Sequence, residues 1–224
     1  PVKCVVANEE ALSRDLRYVD EDLNRAFPGD PDGETHESRL AHELLQEIRG
    51  LTVFSIHSTQ SYDEAFALCE EVDALARSVV PQLSVEALVE TDMFSDGRLI
   101  EYPDVLEVEA GLQGSDGAAE NARGLIEEFL AAVGALAAES RPREGVPVYR
   151  MARVVPKAPA ERYEVYVDNF TRVEVGERYA AVDGDPLHAE EPFYPILMSP
   201  YGYEDVFGFE GELVGKLDAE APAR

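Results

Sequence analysis

The 224-residue sequence contains no long apolar run and only two cysteines. A helix that spans a bilayer needs about 20 consecutive apolar residues, so the sequence predicts no membrane span, and no secretory signal peptide is recognisable. Two cysteines are too few for a disulfide framework. Because Cys4 lies in an apolar pattern, we expect Cys4 and Cys69 to be buried, reduced thiols of a cytoplasmic protein.

Positive charge is also scarce, because Lys3, Lys157 and Lys216 are the only lysines. Lysine and arginine together number 19 against 46 aspartates and glutamates, which gives a formal net charge of −27. This excess makes nucleic acids and anionic membranes poor partners. Since the acids are spread over the whole chain, the charge predicts a halophilic surface, suited to molar salt, where the Debye length is about 3 Å.

The most informative segment covers residues 17–29 and reads RYVDEDLNRAFPG. A guanidinium offers a planar fork of donors that matches the two oxygens of a carboxylate, and Asn24 beside Arg25 adds a further donor. The segment therefore predicts a carboxylate-binding loop. A salt-bridged surface loop without a ligand is the alternative.

Two strand-like runs carry further polar residues. Residues 51–59 form an apolar, β-branched run that contains His57 close to its end, and an imidazole fixed by a rigid strand is a good zinc ligand. A histidine in this position is, however, more often structural. Residues 105–111 contain Glu107 and Glu109, which share one face because side chains two apart on a strand do so.

Together these segments resemble the succinylglutamate desuccinylase/aspartoacylase family of zinc-dependent amide hydrolases, which are related to the zinc carboxypeptidases. The first segment of that family reads R-Y-x-x-x-D-L-N-R-x-F, and every position is matched here. The resemblance implies that His57 is a zinc ligand and that Glu109, in an E-x-G turn with Gly111, is the general acid/base. Glu107 is the rival. Ser55 stands where the family usually has Asp, so the carboxylate that would orient the zinc-bound imidazole is absent or supplied elsewhere.

The resemblance also implies how a substrate is held. Arg17 would stabilise the oxyanion, and three residues would bind a substrate carboxylate: Asn24, Arg25 and Tyr203. Tyr201 is close enough in sequence to replace Tyr203, and Arg98 is a weaker candidate for a further carboxylate contact. The expected substrate is a small N-acyl amino acid, and a homo-oligomer is compatible with the sequence.

One part of the family pattern has no counterpart in the expected order. The family supplies two zinc ligands from an early H-x-x-E pair, whereas here only His188 has an acid three residues later, Glu191, far downstream. We therefore expect the H-x-x-E segment upstream of the sequence given. Two alternatives remain: a zinc carboxypeptidase acting on peptides, or a non-catalytic ligand-binding homologue if the pair is truly absent.

Alternating strand and helix patterns predict an α/β fold with a mostly parallel sheet sandwiched by helices, similar to that of the zinc carboxypeptidases. We expect this domain at residues 1–140, without its N-terminal strand and HxxE loop, and a small β-rich domain at 145–220 after a polar linker. Within the first domain, residues 1–8 and 98–102 predict strands. Residues 35–49 and 116–138 predict helices, the second with Ser115 as its N-cap.

Overall fold

The computed structural model describes residues 1–94, 97–138 and 142–218. The helices are α1 (Glu9–Ser13), α2 (His36–Ile48), α3 (Ala74–Val79) and α4 (Asp116–Ala132). The strands are β1 (Val53–Thr59), β2 (Phe66–Cys69), β3 (Leu88–Glu90), β4 (Val105–Leu112), β5 (Val146–Pro156), β6 (Tyr163–Val165), β7 (Arg178–Val182), β8 (Asp185–His188), β9 (Tyr194–Ile196) and β10 (Val206–Leu217). None of the described helices is long and apolar enough to cross a membrane.

Seven strands form one mixed sheet in the order β1-β4-β2-β3-β5-β10-β9. The pairs β1/β4, β2/β3 and β3/β5 are parallel, whereas β2/β4 and both pairs made by β10 are antiparallel. Strands β6, β7 and β8 form a second, three-stranded sheet. The α/β class predicted from the alternating pattern is therefore confirmed.

The two faces of the large sheet are covered in different ways. On one face α3 and α4 pack against the strands, with the Phe129 ring stacked on Phe54 at 4.4 Å between centroids. On the other face an aromatic cluster joins Phe66 of β2 to Tyr149 of β5 and to Phe170. Consecutive residues of a strand project to opposite faces, so fully buried strands such as β2 contribute to both clusters.

The sequence located the long helices well and the short segments less well. Helix α2 is found as predicted, and α4 begins after Ser115, whose Oγ accepts the Ala118 N–H at 3.0 Å. The strand predicted at 1–8 is wrong, because no described strand pairs with these residues, and Cys4 is consequently exposed while Cys69 is buried as expected. The strand predicted at 98–102 is a 3-10 turn, Leu99–Glu101, which buries a single side chain, Ile100.

The predicted linker covers residues 139–145, of which 139–141 lie outside the described residues, as do 219–220 at the end of the predicted second domain. Strand β5 follows this linker and pairs in parallel with β3, which precedes it. The seven-stranded sheet therefore continues across the proposed boundary. The division into two domains stays a prediction.

Candidate functional site

The site begins with the register of two neighbouring strands. In the parallel pair β1/β4, Ser55 is opposite Glu107 and His57 is opposite Glu109. Because alternate side chains of a strand point to the same face, all four polar groups project to one side of the sheet. Local sequence alone could not give this arrangement, since the two strands are separated by about 50 positions in the chain.

His57 is held by its neighbours through one ring nitrogen. Its Nε2 lies 2.9 Å from Ser55 Oγ and 3.2 Å from Oε1 of the buried Glu107. Burial by itself would lower the pKa of His57, but the charge of Glu107 outweighs it and raises this pKa to about 9. The Glu107 carboxylate and the Ser55 hydroxyl therefore contact the same ring nitrogen, Nε2. The other ring nitrogen, Nδ1, has no hydrogen-bond partner among the described residues.

Glu109 lies in a different environment from an ordinary surface glutamate. Burial, the largest cause, raises its pKa to about 7, and Glu107 adds to this effect while His57, Arg17 and Arg98 oppose it. Glu109 Oε2 is buried and has no hydrogen-bond partner among the described residues. Buried, unpaired carboxylate oxygens are rare and costly, and they are typical of functional groups.

The E-A-G sequence lies inside β4, which continues to Leu112, and not in a turn after the strand as predicted. Gly111 has a φ of +127°, and a Cβ at this position would lie 2.7 Å from the carbonyl oxygen of Asp63. Glycine is therefore required here by both backbone conformation and space. The close approach of the Asp63 backbone packs the loop that follows β1 against the end of β4.

The predicted carboxylate-binding loop, residues 17–29, contributes Arg17, Asn24 and Arg25 to the same pocket. It contains a 3-10 turn, Leu23–Arg25, which is capped by Asp22: Oδ1 accepts the Asn24 N–H at 3.1 Å. Asp22 Oδ2 accepts a hydrogen bond from Arg17 Nη2 at 2.9 Å. One aspartate thus fixes the backbone of Asn24 and the guanidinium of Arg17.

A single pocket is lined by the six residues to which the sequence analysis gave a role in the site: Arg17, Asn24, Arg25, His57, Glu109 and Tyr203. Glu107 and Arg98 line it as well. The structure therefore brings together residues from five separate segments of the chain. Their individual roles remain predictions.

The structure separates the two candidate tyrosines. Tyr203 lines the pocket, whereas Tyr201 is exposed and its hydroxyl accepts the Tyr163 N–H at 3.3 Å. Arg98 faces the same pocket, and its Nε is buried without a hydrogen-bond partner among the described residues. Burial lowers the pKa of Arg98, as expected for a cation held away from water.

Sequence reasoning missed several pocket residues and the group beneath the loop. The missed lining residues are Ser58, Thr59, Gln60, Leu68, Gln113, Leu197, Ser199 and Gly202. Beneath the loop lies Glu37, which is fully buried in the first turn of α2. A signal existed: Glu37 is four residues before the buried Ala41, so it occupies the apolar stripe of its helix, where a charge needs partners.

Among the described residues, the pocket holds only part of the donor set that a zinc ion needs. Across residues 1–94, 97–138 and 142–218, no group of three or more His, Cys, Asp or Glu side chains is arranged to hold a metal. In the pocket, Nδ1 of His57 has no hydrogen-bond partner among the described residues, and neither has the buried Oε2 of Glu109, whereas Oε1 of Glu107 lies 3.2 Å from His57 Nε2. His57 fits the role of one ligand, but the described residues do not complete a zinc site.

Comparison with known proteins gives one family and a set of similar folds. Residues 2–95 match the model of the succinylglutamate desuccinylase/aspartoacylase catalytic domain, which confirms the resemblance seen in the sequence. No curated protein matches the chain. Three solved structures illustrate the similarity in fold, and all are below 25% in identity, so they speak for the fold alone.

The first is the product-bound ectoine utilization protein EutE (DoeB) from Ruegeria pomeroyi, with a TM-score of 0.70, 21% identity, and coverage of 92% of this chain and 73% of that one. Murine aminoacylase 3 gives a TM-score of 0.69 at 18% identity, covering 94% and 83%. Succinylglutamate desuccinylase from Vibrio parahaemolyticus gives 0.64 at 18% identity, covering 94% and 70%.

Proposed function

We propose that this chain, whose residues 2–95 match the model of the succinylglutamate desuccinylase/aspartoacylase catalytic domain, hydrolyses the amide bond of an N-acyl amino acid. The observation that carries the proposal is the composition of one pocket. Glu109, a carboxylate with one buried oxygen and a raised pKa, lines the same pocket as Arg17, Asn24 and Arg25. The first group suits proton transfer and the second suits a substrate carboxylate.

Glu109 would act as the general base and then as the general acid. In the first step it takes a proton from the attacking water while the water oxygen bonds to the amide carbon. In the second step the carbon–nitrogen bond breaks and Glu109 gives the proton to the leaving nitrogen. A carboxyl group with a pKa of about 7 is suited to both directions near neutral pH.

Arg17 would stabilise the negative charge that develops on the carbonyl oxygen. It lies close enough to Glu109 and Tyr203 for its charge to act on both, and Asp22 holds its guanidinium. A preorganised donor of this kind contributes about 3 kcal/mol to transition-state stabilisation when the site excludes water. Glu107 would keep the His57 ring in place through Nε2.

Zinc dependence is part of the proposal, with His57 as one ligand. The chemistry that zinc supplies when bound is Lewis-acid polarisation of the amide carbonyl. This role is supported by the family match and by Nδ1 of His57, which has no hydrogen-bond partner among the described residues.

The arginines in the pocket favour a substrate with more than one negative group. Arg25 belongs to the loop. Arg98 lines the same pocket and follows Gly97, which packs closely against the loop: a Cβ on Gly97 would lie 3.1 Å from the Arg25 carbonyl oxygen. The partnerless Nε of Arg98 calls for an anion. We propose that an N-acyl derivative of an acidic amino acid, or one with a carboxylate in its acyl group, is preferred.

The test compares kcat/KM for an N-acyl amino acid with that for its C-terminal amide, in the wild type and in Arg25→Lys. We expect the wild type to prefer the free acid by about 100-fold, because a neutral amide cannot form the two charge-assisted hydrogen bonds that a carboxylate forms with the Arg25 guanidinium. Arg25→Lys should reduce this preference by about 10-fold, since an ammonium cannot make two parallel hydrogen bonds.

Arg123→Lys on the exposed surface of α4 is the matched control and should leave the preference unchanged. Equal values for acid and amide in the wild type would show that the loop has a structural role only. A second arm offers a dipeptide with a free C-terminus, because faster turnover of the peptide would favour a carboxypeptidase.

A further inference from the structure

Glu37 is a charged residue in a position where a charge is costly. It lies in the first turn of α2 and its exposed fraction is 0%. A carboxylate removed from water is tolerated only when hydrogen bonds replace the lost solvation. The hydrogen-bond partners of Glu37 therefore indicate its role.

Four donors meet the two oxygens of this side chain. Oε1 accepts the Val19 N–H at 2.6 Å and the Asn8 side-chain amide at 2.9 Å. Oε2 accepts the N–H groups of Asp20 at 3.0 Å and Glu21 at 3.2 Å. Three of the four donors are consecutive backbone amides, so one carboxylate fixes the conformation of three successive residues of the loop.

The loop binds the start of α2 in return. Asp20 Oδ2 accepts the His36 N–H at 2.7 Å, and Glu21 Oε1 accepts a hydrogen bond from the hydroxyl of Thr35, the N-cap of the helix. Acids near a helix N-terminus are also favoured by the helix dipole. The contact is therefore reciprocal: the helix supplies a carboxylate to loop amides, and the loop supplies carboxylates to the helix terminus.

Residues 19–21, which Glu37 anchors, lie in the chain between Arg17 and Asn24, two of the residues proposed to contact substrate. Asp22 follows Glu21 and holds both the Arg17 guanidinium and the Asn24 N–H. Arg17 precedes the anchored amides by two positions and Asn24 follows them by three. A shift of the backbone at 19–21 would therefore be passed to both sides of the carboxylate-binding loop.

We propose that Glu37 is a positioning residue for substrate recognition. By fixing the backbone of residues 19–21, it also fixes the positions of the side-chain donors of Arg17, Asn24 and Arg25. The proposal rests on the proposed function for its catalytic consequence. Its structural basis, the carboxylate anchored by four donors, is independent of that function.

The decisive variant is Glu37→Gln, which keeps the shape of the side chain but replaces one accepting oxygen with a donating NH2 group. That group would face loop amides that are themselves donors, so the loop cannot keep its conformation. The matched control is Glu43→Gln, an exposed position on the same helix.

The first readout is the ratio of kcat/KM for the N-acyl amino acid to that for its amide. We expect Glu37→Gln to lower this ratio by about 10-fold and Glu43→Gln to leave it unchanged. Loss of stability alone reduces the amount of folded enzyme and lowers both values equally. An unchanged ratio in Glu37→Gln, even with a lower melting temperature, would overturn the proposal.

The second readout needs no catalysis. Backbone amide exchange of Val19, Asp20 and Glu21 should be at least about 10-fold faster in Glu37→Gln than in the wild type, with exchange in the centre of α2 unchanged. Equal exchange rates would overturn the anchor itself. A wild type that hydrolyses neither substrate would refute the proposed function, while the exchange measurement would still decide whether Glu37 holds the loop.

Discussion

Two acidic regions of this molecule are shielded from water and differ in almost every other respect. Beneath the carboxylate-binding loop, both oxygens of Glu37 are occupied by four hydrogen-bond donors. On the face of β4, Glu109 has a buried oxygen without a hydrogen-bond partner within the described chain, and Oε1 of Glu107 lies 3.2 Å from His57 Nε2. Glutamate thus has two uses here: Glu37 is an anchor whose oxygens all have hydrogen-bond donors, and Glu109 is a pocket group with an oxygen that has none among the described residues.

The pKa values show the consequence. Burial raises the pKa in both regions, but at Glu37 the amides of Val19, Asp20 and Glu21 and the Asn8 side chain outweigh it and lower the pKa to about 2. At Glu109 no comparable donors are present among the described residues, and the pKa rises to about 7. Hydrogen bonding, not burial, therefore decides whether a shielded glutamate is permanently charged or ready to exchange a proton.

The largest effect is expected at the unsatisfied region. Glu109→Gln should lower kcat by at least about 100-fold, because the amide cannot accept and return a proton, while KM should change little. The measurement is steady-state hydrolysis of an N-acyl amino acid.

Glu107→Gln provides the comparison for this prediction. It should reduce kcat less, since the Ser55 hydroxyl still contacts His57 Nε2. A larger loss in Glu107→Gln than in Glu109→Gln would exchange the roles of the two carboxylates and leave Glu109 as the supporting group.

A smaller effect is expected for the dependence of stability on pH, through Glu37. The folded state lowers the pKa of Glu37 from an ordinary value of 4.5 to about 2, so the carboxylate stabilises the fold fully above pH 4.5. This contribution is lost as the pH falls towards 2. The difference in melting temperature between the wild type and Glu37→Gln should therefore be largest near neutral pH and should narrow in acid.

Thermal melts of both proteins at matched pH values, followed by circular dichroism, check this. A difference that stays constant from neutral pH into the acid range would mean that Glu37 stabilises the fold by its shape and not by its charge.

The smallest effect concerns salt. A net charge of −27 should make the wild type melt at a lower temperature in dilute buffer than in molar potassium chloride, because salt screens repulsion between exposed acids. The gap between the wild type and Glu37→Gln should stay the same in both solutions, since a fully buried carboxylate is screened much less. Identical wild-type melts in the two solutions would refute the expected halophilic character.

The local sequence predicted structure and binding groups well where they depend on one contiguous segment. The hydrogen-bond donors of the loop at 17–29 could be read from its residue types, and the apolar stripe of residues 35–49 predicted α2. Both predictions succeeded because periodicity and residue type are local properties. The segments at 1–8 and 98–102 were misjudged for the opposite reason. Their apolar residues fit a strand, but a strand forms only where a neighbour offers hydrogen bonds, and that neighbour is set by the fold.

The sequence by itself determined the α/β class, the resemblance of residues 2–95 to a hydrolase family, and the residue types of the pocket. The tertiary structure alone decided which groups meet. It placed Glu107 against His57 through the register of β1 and β4, and it put Tyr203 in the lining of the pocket while Tyr201 is exposed. It also turned Glu37 from one glutamate among many into the anchor of the loop. The physical reason is that pKa values and hydrogen bonds depend on distances of a few ångströms between segments far apart in the chain, and only packing sets those distances.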